Sequence, residues 1–251
     1  MRKGIIAALL IGTVSFVQAD PTRTYWTHEN RLPEARQLEV GVVLDYQEED
    51  ISDSDKVWAV TPQFRYGLTR DLSLSVAVPV LQREPAVGDS VSGLGDVRVG
   101  LTLRAWEDIF GFPYLIPYVE AELPTGDEKK ELGSEDGVVT AGIAIGTTVY
   151  DVLHYALDIG YRFEAEEENV VLIRGALIYD LSKKTSVLVE GEYRGKLDGE
   201  VEARKRVLAG FTYRPARNWI VGLYGGGQVT GDSDDVVGAM KVSYTFKPFI
   251  F

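Results

Sequence analysis

The sequence predicts an all-β protein: a closed, antiparallel, up-and-down transmembrane β-barrel of about twelve strands. Three observations predict this fold. A secretory signal opens the chain, a long series of segments alternates apolar with polar residues, and short turns alternate with longer polar loops. Alternating strands of roughly ten residues are typical of barrels in the bacterial outer membrane.

Residues 1–19 predict a cleavable signal peptide. They begin with a basic pair, continue with a short apolar run and end on Ala19, a small residue suited to the cleavage site. The apolar run is shorter than the roughly 20 residues that a membrane-spanning helix needs. We therefore expect cleavage after Ala19, export, a periplasmic N-terminal segment at 20–36 and the barrel at 37–251.

Composition narrows the chemistry of the chain. There is no cysteine, so disulfides, thiolate metal sites and a lipidated cysteine are excluded. The formal net charge of −12 argues against nucleic acid as a partner. The two histidines, His28 and His154, have no ligand partner at metal-binding spacing, so we expect no metal and no cofactor.

The alternation defines the strands. At 72–80, leucine and valine at even positions alternate with serine, alanine and proline at odd positions. At 155–163, tyrosine, leucine, isoleucine and phenylalanine alternate with alanine, aspartate, glycine and arginine. Because successive side chains of a strand point to opposite faces, each such segment has one apolar face. The pattern predicts twelve strands, near 37–47, 56–66, 71–81, 95–106, 113–124, 138–150, 154–164, 169–180, 185–195, 205–214, 219–227 and 237–246.

Two prolines interrupt this pattern. Pro62 and Pro117 lie inside predicted strands, where each removes a ladder donor. We expect bulges or weak pairing at both positions.

The connections predict the orientation. Short turns of bacterial barrels face the periplasm and long loops face outside, so both termini are expected in the periplasm. Aromatic residues at the strand ends beside the short turns fit the interfacial girdle of a barrel in lipid. They are Tyr66, Trp106, Tyr114, Tyr150, Tyr155, Tyr179, Tyr213, Trp219 and Phe246.

A soluble sandwich or a lipocalin-like barrel would also alternate, with its apolar face turned inward. The second face of the predicted strands mixes charged residues with glycine, alanine, serine and threonine, as a water-contacting lumen would. Together with the aromatic girdle and the signal peptide, this favours the membrane barrel.

Three segments carry a family resemblance. They are Tyr66-Gly67-Leu68-Thr69, then Gly93-Leu94-Gly95-Asp96, then Leu123-Pro124-Thr125-Gly126-Asp127. In this order they resemble the outer-membrane family named for the MetA pathway of phenol degradation. The resemblance implies a barrel channel that takes up aromatic or other small apolar compounds.

The expected partners follow from the location. They are outer-membrane lipid, lipopolysaccharide, a small-molecule solute and the barrel-assembly machinery, which reads a terminal aromatic residue. Either Phe246 or Phe251 can supply that residue, and the sequence leaves the choice open.

Charged residues on the lumen face are the candidate site. Folding the hairpins by their turns places Arg98 beside Glu120 and Glu122. The same folding places Arg174 among the remaining acids, which are Asp158, Glu190 and Glu192. We interpret these cross-strand pairs as a charged constriction. Small inward residues are expected to leave space beside it: Gly100, Thr102, Thr140, Gly142, Ala144, Gly146, Gly160, Gly210 and Gly222.

The sequence therefore predicts a channel or transporter. The solute would be small and uncharged or weakly apolar, aromatic compounds included, and would cross by passive diffusion. Two alternatives stay open: a non-conducting structural or adhesion barrel that displays acidic loops, and a lipid-modifying enzyme. A Ser-His site at the outer rim has no histidine available, because His28 precedes the first strand and His154 is at a short turn. We therefore expect no catalysis.

Overall fold

The computed structural model of the chain describes residues 22–49, 55–107, 113–164, 170–195, 203–229 and 235–246. The predicted signal peptide and Phe251 lie outside these residues. Fourteen strands are present in the described ranges: β1 (Leu38–Glu49), β2 (Asp55–Gly67), β3 (Leu72–Ala77), β4 (Val80–Glu84), β5 (Val91–Leu94), β6 (Val97–Leu103), β7 (Tyr114–Leu123), β8 (Val138–Val149), β9 (Leu153–Glu164), β10 (Val170–Asp180), β11 (Thr185–Gly195), β12 (Arg204–Tyr213), β13 (Trp219–Gln228) and β14 (Val236–Thr245). A short 3-10 helix occupies Glu128–Lys130. No helix in the described ranges is long and apolar enough to cross a membrane.

The strands form one antiparallel sheet that closes on itself, because β1 pairs with both β2 and β14. β3 and β4 both pair with β2, and they pair with β6 and β5 respectively. β3 and β4 therefore form one interrupted strand of the wall, and β5 and β6 form another. The fold is a closed twelve-stranded antiparallel barrel, as predicted. Closure removes the free sheet edge along most of the wall, and among the described strands β5 pairs with β4 alone.

The interrupted strands correct two predicted boundaries. The strand predicted at 71–81 continues as β4 to Glu84, and the strand predicted at 95–106 begins earlier, with β5. Pro79 cannot donate to the ladder. Two backbone bonds flank the break: the N–H of Val78 donates to the Pro62 carbonyl at 3.0 Å, and the N–H of Gly95 donates to the Pro79 carbonyl at 2.9 Å. The β4–β5 hairpin thus extends the wall beyond the break.

Both predicted weak points coincide with gaps in the ladders. Pro62 pairs with Val42 on β1, but on its other side it faces the gap between β3 and β4. Pro117 pairs with Ile143 on β8, whereas the β6–β7 ladder stops at Tyr118. The prediction of weak pairing at both prolines is confirmed.

The barrel has a short-turn end and a long-loop end. The short-turn end carries the connections at 68–71, 150–152, 181–184 and 214–218, and both the start of β1 and the end of β14 lie there. The outward face is apolar and exposed along its whole height. Of the aromatic residues predicted for the girdle, Tyr66, Trp106, Tyr150, Tyr155, Tyr179, Tyr213 and Trp219 are exposed large side chains, and Phe246 is half-buried. Tyr114 is the exception, since it is buried inside the barrel.

Candidate functional site

Residues 22–37, the lumen segment, fold back into the barrel from the short-turn end. The segment is fastened at its entry by Gly67, whose carbonyl accepts the N–H of Arg36 at 2.7 Å and whose N–H donates to Gln37 at 3.0 Å. The sequence does not decide whether the N-terminal segment predicted at 20–36 enters the lumen. Its described part lies inside the wall and interrupts the lumen.

Gly67 is a glycine because the lumen segment passes directly against it. A Cβ built at this position would lie 2.0 Å from the carbonyl oxygen of Glu34. No side chain fits there without displacing the backbone. This contact gives a physical reason for the glycine in the first of the three family-like segments.

Glu190 on β11 binds the backbone of the lumen segment. Its Oε1 accepts the N–H of Tyr25 at 2.6 Å, and its Oε2 accepts the N–H groups of Trp26 at 2.9 Å and Thr27 at 3.0 Å. The Thr27 hydroxyl donates to Oε2 as well, at 3.1 Å. Glu190 is fully buried, and such hydrogen bonds to a charged acceptor are among the stronger ones in proteins. They offset the cost of burying the carboxylate.

His28 provides a second attachment. Its Nδ1 lies 2.7 Å from Asp158 Oδ2, its Nε2 lies 3.5 Å from Glu120 Oε1, and its ring stacks on Tyr118 with the centroids 3.9 Å apart. The Tyr118 hydroxyl donates to the other Asp158 oxygen at 2.6 Å. Both oxygens of the buried Asp158 are therefore engaged.

Arg23 and its neighbours complete the attachment. The Arg23 guanidinium binds Asp180 on β10 at 2.7 Å, and its carbonyl accepts the Tyr224 hydroxyl at 2.7 Å. Lys241 donates to the hydroxyl of Thr22 at 2.6 Å. Wall strands from much of the barrel circumference thus hold the segment.

The predicted cross-strand pairs are only partly present. Arg174 and Glu192 are register partners, and their side chains meet at 2.9 Å. Asp158 and Glu190, predicted as further partners of Arg174, bind the lumen segment instead.

Arg98 lies beside Glu122 as predicted, but the two side chains do not form an ion pair. Arg98 is opposite Glu122 in the register, yet Glu122 forms a two-bond ion pair with Arg162 at 2.8 and 3.1 Å. Glu120 contacts His28. Arg98 itself forms no ion pair or hydrogen bond in the part of the chain that the structure describes, and its side chain is exposed to the lumen.

Gly100, Thr102 and Thr140 line a cavity of about 250 Å³, as predicted, whereas Gly142 and Gly146 do not leave open space. A Cβ at Gly142 would lie 2.4 Å from the Tyr118 hydroxyl oxygen, and one at Gly146 would lie 2.3 Å from that of Tyr114. Each tyrosine is the register partner of its glycine. The glycines therefore accommodate tyrosine rings that lie flat against the wall, which is how the lumen is narrowed.

Cavities lie on both sides of the lumen segment. The inner cavity, of about 680 Å³, is at the short-turn end and is lined by Arg31, Arg104, Tyr114 and His154 among others. The outer cavity, of about 370 Å³, is at the long-loop end, with Tyr25 and Trp26 of the segment in its lining. A third space of about 250 Å³ surrounds the segment itself. The lumen thus contains space at both ends and an obstruction between them.

Asp96 connects the other two family-like segments. Its Oδ1 accepts the N–H groups of Thr125 at 3.0 Å and Gly126 at 2.9 Å, and its Oδ2 accepts that of Ser134 at 2.7 Å. Burial alone would raise the pKa of Asp96, but these hydrogen bonds outweigh it and hold the pKa below the usual value. Asp96 therefore fixes the loop 124–137 to the β5–β6 junction.

His154 is held by neighbouring wall residues. It contacts Thr148 and Asp180, each at 2.8 Å. Within the described ranges no group of three or more acidic or histidine side chains could hold a metal ion.

Comparison with solved structures identifies the type of barrel. The chain is similar to the COG4313 outer membrane channel from Pseudomonas putida F1, with a TM-score of 0.67 and 15% identity, over 91% of this chain and 100% of that chain. It is similar to the NanC porin, with a TM-score of 0.60 and 9% identity over 81% and 98% of the two chains. It is also similar to the TodX deltaS2S3 mutant monoaromatic hydrocarbon channel, with a TM-score of 0.51 and 11% identity over 86% and 91%.

The chain has the barrel fold of outer-membrane channels. At these identities the likeness shows the fold alone. No protein-family model and no curated protein matches the sequence, so the resemblance to the MetA-pathway family stays a prediction.

Proposed function

We propose that this protein is an outer-membrane channel for a small, weakly apolar solute, aromatic compounds included, and that the lumen segment controls passage. The observation that carries the proposal is the arrangement of the lumen: two cavities that are separated by a segment held through hydrogen bonds and ion pairs. A barrel that served only as a scaffold could be filled by packed side chains along its whole length.

The attachment of the segment suits a movable obstruction. Many of its contacts with the wall are with polar groups such as Glu190, Asp158 and Asp180, which water can replace when the segment shifts. Tyr25 and Trp26 also pack against an apolar cluster of the wall. A plug built from a wide apolar interface would have to expose that surface to water.

The outward face supports the location. Exposed apolar side chains cover the wall, and exposed aromatic residues gather toward the short-turn end, as in barrels whose interfacial girdle contacts lipid head groups. In this proposal the short-turn end faces the periplasm and the long-loop end faces outside, so both termini are periplasmic. Outer-membrane lipid, lipopolysaccharide and the assembly machinery are the matching partners.

Planar-bilayer conductance tests the proposal. We compare the refolded wild-type barrel with a variant that lacks residues 23–31, the part of the segment with most of the wall contacts. Circular dichroism and heat-modifiable gel migration establish that both have folded. We expect small or brief openings for the wild type and a conductance about tenfold larger for the deletion variant, because the obstruction is gone.

A folded deletion variant that does not conduct would contradict the channel. The same result would support the non-conducting barrel, for which the filled lumen is the specific structural argument. Incubating both proteins with labelled phospholipid and lipopolysaccharide examines the enzyme alternative, and we expect no modification.

A further inference from the structure

The outer cavity carries an excess of positive charge although the chain as a whole is acidic. Six cationic side chains line it, against the carboxylates of Asp45 and Glu192. Both carboxylates are already engaged: Asp45 accepts the hydroxyl of Tyr25, and Glu192 binds two arginines at once, Arg174 at 2.9 Å and Arg206 at 2.6 Å. Arg162 is paired as well, with Glu122 at 2.8 and 3.1 Å. The remaining cations of the lining exceed the carboxylates that lie within it.

Two arginines retain hydrogen-bonding capacity. Arg98 is exposed to the cavity and forms no ion pair or hydrogen bond with the described residues. Arg206 has a buried Nε–H for which no described residue provides an acceptor. Buried donors without acceptors are uncommon in folded proteins, because each loses its bond to water. An anion in the cavity would supply an acceptor for the exposed Arg98, and the positive charge of Arg206 would attract it further.

The remaining lining is mixed: Gln47, Thr61 and Gln63 are polar, and the other side chains of β1, β2 and β4 form an apolar patch. Val43, Val57 and Ala59 on β1 and β2 line the cavity together with Leu81 on β4, while the arginines belong to β6 and β9 to β12. Trp26 of the lumen segment also lines it, and the Arg206 guanidinium lies 5.3 Å from the centroid of the indole ring. The apolar side and the cationic side thus come from different groups of strands. A volume of about 370 Å³ suits a small molecule.

We propose that the outer cavity binds a small organic anion, a carboxylate on an apolar or aromatic body. The carboxylate pairs with Arg98 and approaches the guanidinium of Arg206, and the body packs on Val57, Leu81 and Trp26. This inference rests on the proposed channel, for which it specifies the solute class. It replaces an uncharged solute with a singly charged one.

A matched set of ring compounds tests the charge requirement without any mutation. Benzoate, benzamide and benzamidine have nearly the same shape, but benzoate is an anion, benzamide is neutral and benzamidine is a cation. Acetate is an anion without a ring. We measure the binding of each to the refolded wild-type barrel in nanodiscs by calorimetry. Benzoate is expected to bind at least tenfold more tightly than the other three, because it alone satisfies both sides of the cavity.

Variants locate the site. Arg98→Gln should lower benzoate affinity about tenfold, and Val57→Thr, which keeps the side-chain shape but adds a hydroxyl, should lower it several-fold. The control is Lys205→Gln, which removes one positive charge from an exposed residue that does not line the cavity. It should leave benzoate affinity unchanged. Arg98 forms no ion pair or hydrogen bond with the described residues, so its replacement breaks no direct contact, although it removes a positive charge near Asp45 and Glu120.

The outcomes separate this inference from the channel itself. Equal binding of benzoate and benzamide, or equal losses for Arg98→Gln and Lys205→Gln, would overturn the anion site even if the barrel conducts. Specific benzoate binding by a barrel that never conducts would uphold the site and reject the channel. Flux of benzoate into liposomes at a higher rate than benzamide, abolished by Arg98→Gln, would support both.

Discussion

Glu190 accepts the backbone N–H of Trp26 at 2.9 Å, and this bond joins the barrel wall to the segment that fills its lumen. The same carboxylate accepts two further N–H groups, so three consecutive donors of an irregular segment are satisfied by one buried side chain. Inside a protein, backbone donors must find partners because water is absent. The wall and the segment therefore stabilise each other through Glu190.

Replacement of Glu190 should release the segment. In Glu190→Gln the carboxylate charge is lost and one oxygen becomes an amide group that cannot accept. Losing charge-assisted hydrogen bonds typically costs about 2 kcal/mol, which corresponds to more than a tenfold change in the detached population. We expect a correspondingly higher open probability in planar bilayers.

Glu48→Gln is the matched control for this change. Glu48 is on the outward face of β1, where it contacts Lys56 and Tyr46 rather than the lumen segment. Its replacement should leave the open probability at the wild-type value. If both variants behave alike, Glu190 does not hold the segment closed.

Gly67→Ala should disturb the entry of the segment. The added methyl group would meet the carbonyl oxygen of Glu34 at 2.0 Å, so the backbone must move, at a cost of about 1–3 kcal/mol. We expect a lower unfolding temperature and a larger conductance. Gly225→Ala is the control, because nothing lies within 4 Å of the added atom. Equal unfolding temperatures and conductances of the two variants would show that the close contact at Gly67 does not hold the segment in place.

The wall could be predicted from the sequence because its pattern is local. Alternation within each strand, with the lengths of the turns, determined which residues face the lumen and which neighbours are opposite, as for Arg174 and Glu192. The lumen segment has no such periodicity. Its position depends on contacts with residues as distant as Glu190, which no pattern within 22–37 indicates.

The length of the arginine side chains explains why the predicted ion pair between Arg98 and Glu122 does not form. Arg98 and Glu122 are register neighbours, but Arg162 reaches Glu122 from two strands away, across β8. Pairing by register considers adjacent strands only, whereas long side chains in a lumen cross a strand that carries small residues. The contact between Tyr118 and Gly142 could have been predicted from the register, because the two residues are directly opposite each other on adjacent strands.

Asp96→Asn should loosen the loop 124–137. The asparagine is uncharged and has one acceptor oxygen fewer. The N–H groups of Thr125, Gly126 and Ser134 therefore lose their charged partner, and at least one of them loses its acceptor, at about 1–2 kcal/mol. Trypsin should then cut faster after Lys129, which is exposed in this loop.

Asp127→Asn is the control for this variant, because Asp127 pairs with Lys130 in a partly exposed contact. It should be cut at the wild-type rate. Faster cutting of Asp127→Asn than of Asp96→Asn would contradict the role of Asp96.

The pH dependence of the same loop follows from the lowered pKa of Asp96. A carboxyl whose pKa is lower in the folded than in the unfolded chain stabilises the folded state. The stabilisation is complete at pH values above the unfolded pKa, near 3.8, and is lost as the pH falls through the folded pKa. Amide hydrogen exchange at Gly126 and Ser134 should therefore stay slow at pH 5 and rise, relative to the intrinsic rate, only below about pH 4. In Asp96→Asn this rise should be absent.

Tryptophan fluorescence should distinguish the outward face from the lumen. Trp219 and Trp106 are exposed on the outside of the wall, whereas Trp26 is in the lumen segment and contacts Arg206. We prepare variants that keep a single tryptophan and replace the others by phenylalanine, and reconstitute them in liposomes with and without brominated phosphatidylcholine. Bromine quenches only on near contact, so Trp219 and Trp106 should lose most of their emission and Trp26 should keep it. Equal quenching of Trp26 and Trp219 would contradict the assignment of the apolar face to lipid, because a lumen residue is separated from the acyl chains by the whole thickness of the wall.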